Sequence, residues 1–495
     1  MWAARRLSGS FLVLISLLAI IHLASHQFGT SSPYYRDGME ARLQLLQDSF
    51  GKYRLEAEHA TAFNSTPAAK YFEVPTPTAK DLACAWIPNT SKILLIMKTG
   101  ASESFNKIAT QLITALRCVF DFLIFSDMKQ TIAGVDIHDS LETVLQEAME
   151  NNADFDLYRR QNDCIIDQEN CNKEAEGSLS SAGWDLDKYK NVHIAERAYN
   201  MRPGYDWYVT VDADTYVLWP NLVQWLAQID PSEKHYLGSA NMINDLAFGH
   251  GGSGYILSGA AMEEFAGSNP GIASQYDLRA KETCCGDYMF GRALRDTIDV
   301  GIEDVWPTIN GEKPFTLPFG PTEWCHPVVT MHHMNSEEIS SFWEFEKQFY
   351  EGQEPGTNRT LLLKDIYKHF VEPKLEARRD DWDNLSEDMY FLDPNAKEYE
   401  SWKLERTKMG GISDAEKNAH KSFDDCAKMC NEVHECFQLR FQDGICSYQR
   451  GFLLGKPRRR EDDEAKRWMS GWAVDKIKAW VDEHKDCERP LWPTF

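Results

Sequence analysis

Basic side chains are scarce in this 495-residue sequence: 52 Lys and Arg stand against 76 Asp and Glu, a formal net charge of −24. With no long basic face, nucleic acid and anionic membrane surfaces are poor partners. An acidic protein that handles a nucleotide needs a cation to bridge the like charges. The C-terminal cysteine cluster lacks paired C-x2-C spacing, which argues against zinc. Residues 26–90 lack a strong strand pattern, although Met39 to Leu55 could form a helix; polar and rich in Pro, Ser and Thr, they read as a stem. What is present is 43% hydrophobic residues, enough for one large core and a second small one, so two or three modules are expected.

Arg5-Arg6 precede Leu7 to Ala24, a stretch without charged side chains. It is a signal peptide or a short membrane anchor. Cleavage after Ala24 would place His22 where a small residue is needed, so residues 1–25 are expected to be a cytoplasmic tail and uncleaved signal anchor. The arginines then stay cytoplasmic and the chain is a single-pass, type II protein of the Golgi or another secretory-pathway membrane. Sequons at Asn64, Asn89, Asn358 and Asn384 fit that topology. An oxidising lumen makes most of the twelve cysteines disulfides.

Residues 91–350 carry an α/β pattern. Lys92 to Met97 reads as a buried strand, Ser104 to Arg117 as an amphipathic helix and Phe120 to Phe125 as a second strand, which argues for a parallel sheet. Trp207 to Val211 extends the pattern and empties into Asp212-Ala-Asp214. Two carboxylates two apart at a strand's carboxyl edge point the same way, toward the place where such sheets bind ligands. Oxygen donors there suit Mg²⁺ or Mn²⁺ held jointly with phosphate. D-x-D also occurs at Asp154, Asp185 and Asp381, but only Asp212 ends a Tyr/Val/Thr strand and leads into a second apolar run, Tyr216 to Trp219. Residues 351–415 read as a charged linker or extension, and residues 416–495 as a small disulfide-held α+β module, with Cys426, Cys430, Cys436, Cys446 and Cys487, separable from the rest.

Three motifs in order carry a resemblance. Asp212-Ala-Asp214-Thr-Tyr-Val, Gly251-Gly-Ser-Gly-Tyr-Ile-Leu-Ser258 and Thr330-Met-His332-His333 resemble segments of glycosyltransferase family 31, in its core 1 β1,3-galactosyltransferase and Fringe-like branch, especially the fungal type. Ala213 stands where that family has a middle Asp. The resemblance implies a GT-A fold, a Rossmann-like mixed sheet flanked by helices, with a UDP-sugar donor, Mn²⁺ or another divalent cation, and inversion at the anomeric carbon. Asp214 and His332 are then the metal ligands, and Asp212 meets the ribose or a metal-bound water. Adjacent strand residues face opposite ways, so only one of His332 and His333 should reach the metal. Lys98 and Thr99, after the first strand, sit where uridine or diphosphate contacts fall, or in an ordinary βα loop. Gly252 and Gly254 either let backbone approach a ligand or make a tight turn; the family order favours the acceptor side. The C-terminal cysteine spacing resembles a PAN/apple domain, an acceptor-recognition aid in this context.

Inverting transfer needs a base for the acceptor hydroxyl. Asp287, in Cys285-Gly-Asp-Tyr-Met-Phe-Gly291, matches the family's acidic helix start; a simple N-cap is its plainer role. Glu303-Asp304 competes, but Trp306-Pro307 forbids a helix there. Trp324 either stacks on a sugar or packs in the core. The expected activity is transfer of a hexose, galactose from UDP-galactose foremost, in β1,3 linkage onto a glycan or glycoprotein. The alternatives are a lumenal metal-dependent sugar-nucleotide hydrolase and a non-catalytic glycan-binding protein using the apple-like module.

Overall fold

A computed structural model describes residues 82–164, 166–168, 179–351, 359–396, 398–408 and 410–494. The apolar stretch Leu7–Ala24, the stem residues before 82 and the sequons at Asn64 and Asn358 lie outside them. Among the described residues no helix is long and apolar enough to cross a membrane.

The first twelve strands are β1 (Ile93–Lys98), β2 (Phe122–Ser126), β3 (Gln130–Ile132), β4 (Val135–Asp139), β5 (Trp207–Asp212), β6 (Tyr216–Val217), β7 (Tyr236–Gly238), β8 (Ala240–Ile243), β9 (Leu246–Gly249), β10 (Tyr255–Ser258), β11 (Glu303–Asp304) and β12 (Thr330–Met331). Eight form the central sheet in the order β11-β7-β10-β5-β1-β2-β4-β3. The middle four, β5, β1, β2 and β4, run parallel, while β10 is antiparallel to both β5 and β7. Every residue of β1 is buried, as a parallel strand covered on both faces must be. Leu94 and Ile96 pack on one side with Tyr189, Ala195 and Phe290. Leu95 and Met97 pack on the other with Ile108 and Trp219. This mixed sheet, layered by helices, fits the expected GT-A architecture.

Helices that matter below are α1 (Ser104–Ile113), α2 (Leu179–Asp187), α3 (Lys190–Met201), α4 (Gly286–Ile298), α5 (Ser336–Tyr350), α6 (Phe423–Glu432) and α7 (Val474–Glu483). The first helix stops at Ile113, short of the expected Arg117, and a tighter turn, Ala115–Cys118, delivers Cys118 to Cys84.

The C-terminal part differs from expectation. Its five-stranded sheet, order β13-β19-β16-β17-β15, comprises β13 (Arg379–Asp380), β15 (Met389–Phe391), β16 (Gln438–Gln442), β17 (Ile445–Gln449) and β19 (Met469–Trp472). A separate ladder pairs β14 (Trp382–Asp383) with β18 (Lys456–Pro457). Residues 379–391, expected to be linker, therefore supply strands. Cys426–Cys446 and Cys430–Cys436 tie α6 to this sheet, but Cys487 pairs with Cys325, 162 residues earlier. Phe452, Leu454, Trp472, Ile477 and Val481 share one apolar cluster with Leu317, Phe319, Trp324, Phe342 and Trp343. The expected separable module is instead continuous with the α/β body, because its apolar face is too large for its own residues to cover. Trp324 sits in that seam, donating its indole N–H to the His484 carbonyl at 2.8 Å, so it packs rather than meeting a sugar. Asn384 is fully buried and donates to the Leu439 carbonyl at 2.9 Å, so its sequon is closed to glycosylation in the folded chain, whereas Asn89 is exposed.

Under β6, the Tyr216 hydroxyl donates to Glu346 of α5. Glu346 is fully buried, and burial pushes its carboxyl up to about 8, with the Tyr216 bond opposing. The folded chain then keeps this proton where the unfolded chain releases it near pH 4.5. Stability from the group is complete below that value and is lost as pH rises toward 8, by at most about 1.4 kcal/mol per pH unit. Glu346→Gln cannot titrate, so urea midpoints of variant and parent should diverge in the variant's favour between pH 5 and pH 8. Parallel profiles would show that Glu346 is ionised in the fold.

Candidate active site

The carboxyl edge of the parallel strands opens into a cavity of about 690 Å³. Its floor follows from register. β1 and β5 are parallel with Lys98 opposite Asp212, so the last residue of each strand reaches the same point. Lys98 Nζ lies 2.6 Å from Asp187 Oδ1 at the end of α2 and 3.3 Å from Asp212 Oδ1. Burial works against charge on Lys98, but Asp187 and Asp212 overcome it and hold the ammonium above its ordinary range. Asp212 is pushed up to about 6, by burial first and then by Asp187 and Asp214, against the pull of Lys98.

The turn after β5 is held from behind. Gln111 of α1 donates to the carbonyls of Ala213 at 2.9 Å and Thr215 at 3.0 Å. Ala213, where the related motif has an acid, is buried in an apolar cluster. Asp214 faces the cavity, with Lys107 Nζ 3.1 Å from its Oδ2. Despite burial, Lys107 and then His332 keep its carboxyl below the usual range.

Both histidines arrive through a long-range pairing. β12 runs antiparallel to β6, Met331 opposite Tyr216, so the residues just past β12 fall beside those just before β6. His332 Nδ1 is 3.3 Å from Asp214 Oδ1 and 3.0 Å from the Thr215 hydroxyl, which donates to the Gly252 carbonyl at 2.6 Å. Burial pushes His332 down to about 3, Asp214 opposing, so its ring is neutral at pH 7 and the contact is not an ion pair. A neutral imidazole has a lone pair to offer. The two rings are not held apart by strand alternation: the strand ends at Met331 and His333 turns to φ +59°, and the ring centroids lie 4.0 Å apart. Alternation holds only in extended backbone. Asp214, His332 and His333 each place a ligand-capable atom within 4.8 Å of the others, a set able to hold a divalent metal.

Asp287 lines the same cavity. The helix starts two residues before the expected Tyr288, at Gly286 with Cys285 at the cap position, so Asp287 sits inside the first turn rather than capping it. Its Oδ2 accepts from the Gly251 amide at 3.0 Å and its Oδ1 from the Tyr288 amide at 2.8 Å. Glu303 and Asp304 do not line the cavity; they form the edge strand β11, where Glu303 meets His235 Nδ1 at 2.9 Å and Asp304 accepts from the Ala240 amide at 3.1 Å.

Thr99 and Gly252 line the cavity with Lys98. A Cβ at Gly252 would stand 2.3 Å from His332 Nε2, so only glycine lets the chain lie against that ring. Gly254 is elsewhere: at φ +88° it packs on Val211 and the Thr210 carbonyl of β5 and shapes the strand rather than the cavity.

Lys107, Asp127, Lys190, Asn191 and His250 line the cavity without being site candidates in the sequence reading, and Asp187 belongs to the D-x-D at 185–187 that was passed over in favour of 212–214. Asp127 follows directly on β2, much as Asp212 ends β5, a signal that the strand-edge rule could have caught. Lys190 and Asn191 open α3 and had none. Asn191 is buried, and neither its amide nitrogen nor its oxygen has a hydrogen-bond partner; Asp127 Oδ2 accepts no hydrogen bond either, though Lys190 forms an ion pair with it at 3.5 Å. Buried polar atoms left open cost about 1–3 kcal/mol each unless a water or a ligand fills them, and these face the cavity.

Residues 138–300 match the family model described as Fringe-like. The matched stretch runs from β4 to the end of α4 and contains Asp187, Asn191, Asp212, Asp214, Gly252 and Asp287. Lys98, His332 and the C-terminal sheet fall outside it. The match supports a glycosyltransferase of the family 31 type.

Proposed function

We propose that the protein transfers a hexose, galactose from UDP-galactose foremost, in β1,3 linkage to a glycan or glycoprotein acceptor with inversion. The observation that carries this reading is one cavity lined by the Asp214, His332 and His333 cluster and by Asp287, with His332 and Asp287 beside the consecutive residues Gly252 and Gly251. A donor set of one carboxylate and two imidazoles suits Mn²⁺ and leaves positions for diphosphate oxygens and water. Bound there, the ion would neutralise charge on the departing nucleoside diphosphate.

The chain's own residues do the rest. Lys98, Lys107 and Lys190 bring positive charge into a site that would otherwise repel a diphosphate. Asp127 and Asn191 offer unpaired acceptor and amide groups to the imide edge of a pyrimidine base. Asp287, steadied by the Gly251 amide, takes the acceptor hydroxyl's proton as that oxygen attacks the anomeric carbon. Five disulfides join described cysteines, in keeping with an oxidising lumen reached behind a type II anchor.

The test is a UDP-sugar panel with and without an acceptor array. Acceptor-dependent release of UDP from UDP-galactose, with a β1,3-linked product, is the expected result. Release that is fast and indifferent to acceptor would make the protein a sugar-nucleotide hydrolase.

His333 gives a separate check on the metal. His333→Ala should weaken Mn²⁺-dependent UDP binding by roughly tenfold or more in calorimetry, since even outer partners of ligands are worth that much. Unchanged affinity would leave Asp214 and His332 as the protein's ligands.

A further inference from the structure

Cys284 and Cys285 are bonded to each other. A disulfide stabilises mainly by closing a loop of the unfolded chain. Cys325–Cys487 closes 162 residues; a bond between neighbours closes none. Whatever this ring does, it does locally, to the direction of the chain at that point.

That point is the entrance to α4. Cys285 holds the cap position without a side-chain cap bond, and it lines the cavity. Next comes Gly286, where a Cβ would stand 2.4 Å from the Asp187 carbonyl, so the helix start is wedged against the end of α2. Asp287 follows, with Oδ2 on the Gly251 amide. Before the ring, Lys281 and Glu282 are exposed. The Glu282 and Thr283 amides bond only to the Arg279 and Ala280 carbonyls of the turn before them, so the ring joins a surface turn to a helix start that is pinned against α2.

We propose that the Cys284–Cys285 disulfide is a positioning element for Asp287: it sets the angle at which the chain enters α4 and so keeps the carboxylate on the Gly251 amide, aimed into the cavity. This rests on the reading of Asp287 as the base. Two cysteines with no loop to close are otherwise an odd choice for the rim of a polar site. Small displacements of a reacting group can cost on the order of 10²-fold in rate, and Asp287 has one hydrogen bond to another segment to resist them.

The full chain carrying Cys284→Ser with Cys285→Ser keeps nearly the same volume without the bond; Cys284→Ala with Cys285→Ala is the second variant. Both should bind UDP and Mn²⁺ as the parent does, with unchanged donor KM. Their kcat should fall roughly tenfold to a hundredfold, and amide exchange at Gly251 should quicken. In an Asp287→Asn background the same changes should lower kcat little further, because the ring acts through that carboxylate. Unchanged kcat and exchange would overturn the proposal. So would a parallel loss of UDP binding, or failure of both variants to fold, which would make the ring a scaffold; so would full additivity with Asp287→Asn. If the parent itself transfers no sugar, the functional reading falls, and the Gly251 exchange rate still decides whether the ring holds Asp287.

Discussion

Asp287→Asn should slow sugar transfer by roughly 10²–10⁴-fold while leaving Mn²⁺-dependent UDP binding as in the parent. The amide is the same size as the carboxylate, and its oxygen can still accept from the Gly251 amide that now meets Oδ2 at 3.0 Å. The first turn of α4 has no other reason to change. What disappears is the ability to take a proton, so the loss should fall on kcat rather than on donor binding. Asp304→Asn is the control. That residue lies outside the cavity on β11, bonded to the Ala240 amide, and its change should stay within about tenfold of the parent. Steady-state rates of both variants, with UDP affinity measured alongside, decide the matter. A crippled Asp304→Asn and a mild Asp287→Asn would move the base to the sheet edge.

Ending the chain after Glu400 should abolish folding rather than yield a smaller active enzyme. The cut removes β16, β17 and β19, leaving β13 and β15 without neighbours in their sheet. It also removes Cys487 from Cys325, and strips Phe452, Leu454, Trp472, Ile477 and Val481 from the cluster that covers Phe319 and Trp324. Burying one such side chain is worth about 1.5–3 kcal/mol. Five together reach about 10 kcal/mol, comparable to the whole stability of an ordinary domain. The expected product is insoluble, or lacks a cooperative thermal transition by calorimetry. A soluble truncation that melts cooperatively and binds UDP would restore the separable module.

The same contrast separates what could be read in the chain from what could not. Strands at 93–98, 122–126 and 207–212 were legible because a parallel strand covered on both faces must be a near-continuous apolar run, and only the ends shifted by a residue or two. The position of Asp212 and Asp214 at a carboxyl edge followed from the strand before them. The nearness of Lys98 to Asp212 did not: it depends on β1 and β5 being adjacent and in register, although β2, β3, β4 and several helices lie between them in the chain.

By itself, then, the sequence determined the local facts: which segments are strands, which acids end them, where a glycine-rich turn and a histidine pair stand, and that five C-terminal cysteines lie close together. Periodicity, strand length and turn chemistry act over a few residues, so they survive reading in one dimension. The tertiary structure alone decided that His333 joins His332, because the backbone leaves the extended region at φ +59° once β12 has ended. It alone decided that Asp287 rather than Asp304 faces the cavity, that Asp127 and Asn191 stand open beside Lys190, and that Cys487 reaches back to Cys325. All but the histidine turn are meetings between segments far apart in the chain, fixed by which apolar faces must cover one another, and no local pattern records a partner.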